Sequence, residues 1–267
     1  MNQSSPTARS RRTALVTGAA QGIGEAVATR LVAEGVRHLV LLDIDERGLE
    51  RTAAALEKQA DGVSVEAVTS DLVDIERSCE RIGEALERAG SLDILVNAAG
   101  ITSRGGLDDI TLETFDRLMA INVRAPLFVT QTARPYLGRG AAVVNVTSML
   151  AYGGPPFLLG YSASKAALVA LTKGAANTLK RDGIRVFGIN LGWTLTDPPS
   201  RGSGYVPHTY RLWPVSEHQP QQTELFLAGI STQDKEDYKQ IRVDRWKQKK
   251  AWRNSVVTHG ANVPVSI

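Results

Sequence analysis

The sequence predicts an α/β fold: a doubly wound, mostly parallel sheet with helices on both faces, in one domain that ends in an atypical C-terminal segment. Three observations predict it. Short apolar, β-branched runs alternate with longer stretches of helical character, as crossover-connected parallel strands require. The first such run stops at a glycine-rich turn that leads directly into a helix. With 267 residues and 43% hydrophobic content, the chain is long enough to cover both faces of one sheet.

Thr13-Ala14-Leu15-Val16-Thr17 reads as the first buried strand. Gly18-Ala19-Ala20-Gln21-Gly22-Ile23-Gly24 forms the turn, and Glu25 to Val32 a helix. Glycines there let a pyrophosphate approach the backbone and the helix N-terminus. His38-Leu39-Val40-Leu41-Leu42 is the second strand and ends in Asp43, 19 residues after Gly24. An acid at that strand end accepts from both adenosine ribose hydroxyls and repels a 2′-phosphate, which favours NAD over NADP. Gln21 is neutral and Arg47 is the only cation nearby. Capping of the following helix is better assigned to Asp45 than to Asp43.

Val63 to Val68 is a third strand ending near Asp71, and Ile75 to Arg88 the next helix. Leu92 to Asn97 is a fourth strand, closed by Ala98-Ala99-Gly100. Asp71, Asn97 and Gly100 thus fall at carboxyl strand ends, where doubly wound sheets bind ligands. Thr111 caps a long helix expected to run to about Arg134, with Asn122 in its interior. That asparagine is either buried, opening the backbone to water, or simply on the surface. Ala142 to Thr147 is a fifth strand ending at Ser148, residues 153–156 (Gly-Gly-Pro-Pro) form a loop, and the helix of Tyr161 runs to about Lys180. Ile184 to Ile189 is the sixth strand.

Tyr161 and Lys165 are four residues apart, so on a helix both side chains leave one face. A free phenol titrates near ~10 and is a poor base at neutral pH. A cation about 4 Å away contributes roughly 4 kcal/mol at an effective dielectric of 20, enough to depress the phenol by about two to three pH units. A solvated helix with an incidental Tyr and Lys is the bland alternative for this pair taken alone.

Thr17-Gly18-x-x-x-Gly22-x-Gly24, Asp71, Asn97-Ala98-Ala99-Gly100, Asn122, Ser148 and Tyr161-x-x-x-Lys165 occur in order and spacing. Over residues 12–196 the chain in this respect resembles the short-chain dehydrogenase/reductase family, a Rossmann-type fold. The resemblance implies that Tyr161 is the acid/base and that Ser148 holds the substrate oxygen. It implies that Lys165 binds the nicotinamide ribose and lowers the phenol's pKa, and that Asn122 keeps a proton-relay water in place. Cofactor contacts are implied at Gly18, Gln21, Gly22, Ile23, Gly24, Asp43, Asp71 (at the adenine), Leu72, Asn97, Ala98 and Gly100. Tyr161, Lys165, Thr194 and Thr196 complete that set. The implied activity is hydride transfer between NAD and a small secondary alcohol or ketone, by a homodimer or homotetramer self-packed through its Ala-rich helices. An NADP-dependent 3-oxoacyl-type reductase and an impaired nucleotide-binding scaffold are the alternatives.

Departures begin near the end of this region. Leu191 stands where the family has Pro, Phe187 where it often has Asn, and Gly192 to Thr196 resembles its Pro-Gly-x-x-x-Thr segment. Residues 197–267 carry 10 Lys+Arg and 7 Asp+Glu, which is the whole excess behind the net charge of +3. Three of the four Trp and three of the four His also lie there. This segment is either a diverged substrate-binding region or aberrant sequence, and the joint break in charge and composition favours the second. It lacks a Val-Asp-Gly-Gly-like last strand, which leaves a sheet edge expected to be open. Residues 1–11 read as a polar arm without a secretory signal. The single cysteine, Cys79, fits packing in a reducing cytoplasm. The near-neutral domain speaks against nucleic acid even with the Lys247–Arg253 cluster, no run suits a bilayer, and no metal-ligand pattern occurs.

Overall fold

The computed structural model describes residues 12–192 and the backbone of residues 211–212. The N-terminal arm, Thr194, Thr196 and nearly all of the C-terminal segment therefore lie outside the described residues. Six strands run parallel: β1 (Arg12–Thr17), β2 (Val36–Asp43), β3 (Ser64–Thr69), β4 (Leu92–Asn97), β5 (Leu137–Ser148) and β6 (Arg185–Leu191). A two-residue β7 (Arg211–Leu212) pairs antiparallel with β6, setting Ile189 against Leu212 and Asn190 against Arg211. The expected open edge is therefore covered over that short length. The order is β3-β2-β1-β4-β5-β6-β7, reversing direction between β1 and β4. That reversal opens a crevice at the carboxyl ends of the strands.

Alternation along the strands divides the core between two faces. Leu15, Val40, Leu95 and Val143 point into one cluster, and Val16, Leu41, Val96 and Val144 into the other. Helices α3 (Ile75–Ala89) and α5 (Ala125–Ala133) supply Ile82, Leu86 and Val129 to the first. Helices α1 (Gly22–Ala33) and α2 (Glu46–Gln59) supply Ala28, Leu49 and Leu56 to the second. Truncating one such leucine to alanine costs about 2–5 kcal/mol. The helix starts follow from their caps: Asp45 Oδ1 accepts from Gly48 N at 3.1 Å, and Asp74 Oδ1 from Arg77 N at 3.3 Å. Among the described residues no helix is long and apolar enough to cross a membrane.

One expectation is corrected. The continuous helix from Thr111 to Arg134 is instead α4 (Leu112–Met119), a π turn (Ala120–Arg124), α5, and a 3-10 turn (Arg134–Tyr136). Thr111 does cap it, its hydroxyl accepting from Thr114 N at 3.1 Å. The break has a chemical reason in Pro126, which has no N–H to donate to the carbonyl of Asn122 four residues earlier. Asn122 falls inside the π turn and is fully buried, which decides between the two readings of it. Helix α6 (Leu159–Leu179) then runs beneath the crevice with Tyr161 and Lys165 in its first turns.

Candidate active site

The glycine turn sits where β1 enters the crevice. Gly18 has φ +69°, and a Cβ there would stand 2.7 Å from the Ala99 backbone. A Cβ on Gly24 would stand 2.0 Å from the Gly18 carbonyl oxygen, so only glycine lets α1 begin this close to the strand end. Gly18 N and Ala19 N both donate to Leu42 O, at 2.8 and 3.2 Å. Asp43 grips the same turn: Oδ2 accepts from Ala20 N at 2.9 Å and Oδ1 from Asp45 N at 3.1 Å. Gln21 is the extended N-cap residue of α1, with Gly22 and Ile23 opening its first turn. A helix N-terminus with room for backbone approach and an acid beside it fits a dinucleotide.

At the end of β4, Ala99 N donates to Thr17 Oγ1 at 3.2 Å, tying the Ala98–Gly100 segment to β1. Asn97 is buried; its Nδ2 donates to Asn145 Oδ1 at 2.8 Å, while its Oδ1 has no partner. Asn145 in turn donates to Thr172 Oγ1 on α6 at 2.9 Å. Asn145 and Thr172 escaped the sequence reading. Their signal was a polar residue inside the apolar run Val143-Val144-Asn145-Val146. In the loop after β3, Asp71 is exposed and accepts from Val73 N at 2.9 Å, while the Leu72 side chain joins the core.

Ser148, Tyr161 and Lys165 converge where β5 meets α6. Ser148 closes the strand, 6% exposed, and its hydroxyl accepts from Leu150 N at 3.2 Å. Lys165 is 4% exposed; its ammonium donates to Val146 O at 2.9 Å and lies over the Tyr161 ring, 5.9 Å from the centroid. Burial lowers Lys165 from 10.5 to about 8. Burial also raises Tyr161 above its ordinary value, opposed by its hydrogen bond with Ser148. The expectation of a depressed phenol is thus corrected. Desolvation of the phenolate raises it, and the neighbouring ammonium is held by a backbone carbonyl.

Asn122 reaches the same place from the π turn. Its Oδ1 accepts from Ile101 N and its Nδ2 donates to Ile101 O, both at 2.9 Å. A Cβ on Gly100 would stand 3.2 Å from Asn122 Oδ1 and 3.3 Å from Lys165 Nζ, so a side chain there would wedge between them. Asn122, Ser148, Tyr161 and Lys165 are therefore brought together at one end of the crevice. The glycine turn and Asp43 occupy its other arm, across the point where the strand order reverses.

The family model described as short chain dehydrogenase matches residues 12–201. The chain is 39% identical over 184 residues to a sorbitol dehydrogenase of Cereibacter sphaeroides, covering 68% of this chain and 70% of that protein. A short-chain dehydrogenase from Burkholderia cenocepacia in complex with NADP superposes with a TM-score of 0.64 at 37% identity, covering 70% of this chain and 76% of that one. An NAD+-bound xylitol dehydrogenase superposes with a TM-score of 0.63 at 31% identity, covering 68% and 70%.

Proposed function

The chain belongs to the short-chain dehydrogenase family, and on that premise we propose that it is an NAD-dependent oxidoreductase interconverting a secondary alcohol of a polyol and its ketone. The observation that carries this reading is the convergence of Ser148, Tyr161 and the buried ammonium of Lys165 at the mouth of a glycine-lined crevice. The nicotinamide cofactor, when bound, supplies the hydride acceptor or donor. The turn from Gly18 to Gly24 would offer backbone N–H groups to its pyrophosphate. Asp43 would take the adenosine ribose hydroxyls, its carboxylate oxygens keeping lone pairs beyond the two backbone bonds they accept. Asp71 would border the adenine, and Asn97, Ala98 and Gly100 would line the path to the nicotinamide.

Tyr161 handles the proton. Its raised pKa keeps the phenol protonated at neutral pH, the state that donates to a carbonyl oxygen in reduction. In oxidation the phenolate form of the same group, its own proton first lost to solvent, takes the alcohol proton. Ser148 holds the substrate oxygen beside it. Lys165, charged below about 8, supplies a fixed positive charge at the nicotinamide ribose. Sorbitol and xylitol dehydrogenases among the relatives support polyols as the substrate class.

An NADP-bound neighbour favours the other cofactor. Fluorescence titration with both cofactors, then an assay against a panel of polyols and simple secondary alcohols, tests the reading. NAD binding tighter than NADP and turnover of at least one polyol are expected. Tighter NADP binding overturns the cofactor assignment, and NAD binding without any turnover supports a scaffold instead. Leu127 and Phe128 on α5, 45% and 39% exposed, support self-association, which light scattering would report as a dimer or tetramer.

A further inference from the structure

Asn122 carries its side chain across to α6 through one contact. Its Nδ2 donates to Ser164 Oγ at 3.0 Å, and that hydroxyl donates onward to the carbonyl oxygen of Tyr161 at 2.7 Å. Ser164 is fully buried, as is Asn122. Among the described residues it is the one α6 side chain bonded to Asn122. The hydroxyl therefore has both its roles filled, as acceptor from the π turn and as donor to the first turn of the catalytic helix. Asn122 in turn clasps both backbone groups of Ile101, directly after Gly100.

We propose that Ser164 is a positioning residue that sets the Tyr161–Lys165 turn against the Gly100–Ile101 segment through Asn122. It touches no reacting atom. The chain of contacts runs from Ile101 through Asn122 and Ser164 to Tyr161 O, with every link between 2.7 and 3.0 Å. Lys165 follows Ser164 directly, and the flank of Gly100 faces Lys165 Nζ, so a slip of α6 along this seam would move phenol and ammonium together. A buried serine with only a packing role would be satisfied by the carbonyl of its own helix, whereas this hydroxyl also accepts from Asn122 on a second element. The inference rests on the proposed oxidoreductase reading for its catalytic consequence, but not for its geometry.

The test is a cycle of Ser164→Ala, Asn122→Ala and the double variant, read by hydrogen exchange and by turnover. Losing a buried neutral hydrogen bond is worth a factor of about five to ten. Ser164→Ala is therefore expected to speed exchange at the Ile101 amide by about that factor, although residue 101 lies far from residue 164 in sequence. With a polyol and NAD it is expected to lower kcat by a similar factor while KM for NAD stays within about twofold. The double variant is expected to resemble Asn122→Ala alone, because the two residues act in series. Ser164→Thr, which keeps the hydroxyl, is expected to restore slow exchange. Unchanged exchange at Ile101, additive effects in the double variant, or unchanged kcat would each overturn the assignment. If the unsubstituted chain turns over no alcohol, the proposed function fails, and the exchange data still decide the role of Ser164.

Discussion

Lys165→Met is expected to make the folded protein more stable while ending its turnover. The side chain is buried and its pKa falls from 10.5 to about 8 by desolvation, so keeping it charged in the folded state at neutral pH costs roughly 3 kcal/mol. Methionine matches its length and removes the charge, at the loss of the ammonium's bond to Val146 O, worth about 2 kcal/mol. A net gain of about 1 kcal/mol is expected at pH 7. Because the folded pKa is the lower one, the folded chain binds fewer protons than the unfolded chain between about 8 and 10.5. Wild-type stability gains from Lys165 as pH rises through that window, and the advantage of the methionine shrinks accordingly. Urea unfolding of both proteins at pH 7 and pH 9.5 measures this directly. A less stable Lys165→Met at pH 7, or a gap of the same size at both pH values, would refute the desolvation reasoning.

Gly24→Ala places a Cβ 2.0 Å from the Gly18 carbonyl oxygen, so a loss of about 1–3 kcal/mol and of at least about tenfold in NAD affinity is expected; thermal melts with cofactor titration check it, and unchanged binding contradicts it. Asp43→Ser removes the carboxylate that accepts from Ala20 N, and is expected to weaken NAD by about tenfold and narrow its lead over NADP in parallel titrations. Ketone reduction at saturating NADH is expected to be level from pH 6 to 7 and to decline as pH rises through about 8, where Lys165 loses its charge while Tyr161, raised by burial, stays protonated. A rate level to pH 9.5 would detach Lys165 from the mechanism.

Much of this fold was legible because its signals are local. Each of the six parallel strands is a β-branched or leucine-rich run with a stop, and Asp45 and Thr111 mark helix starts by their own chemistry. The site residues were legible as a spacing pattern, since strand ends and one helix face bring them together. The π turn was not, because its residues have ordinary helical character and its cause, Pro126, acts on a carbonyl four residues back. Nor was the burial of Lys165, which depends on Val146 and Gly100 arriving from other elements. The sign of the Tyr161 shift follows the phenol's own burial, so a cation four residues away was a poor guide to it. Ser164 and Asn145 were missed for the same reason: their partners lie 42 and 48 residues away.

The most direct test of the proposed chemistry is Tyr161→Phe, assayed for polyol turnover and separately for NAD affinity. Deleting one oxygen from a group that moves the proton is expected to lower kcat by about 10²–10⁴-fold and leave NAD affinity within about twofold. Turnover within about tenfold of the unsubstituted protein would remove Tyr161 from the reaction.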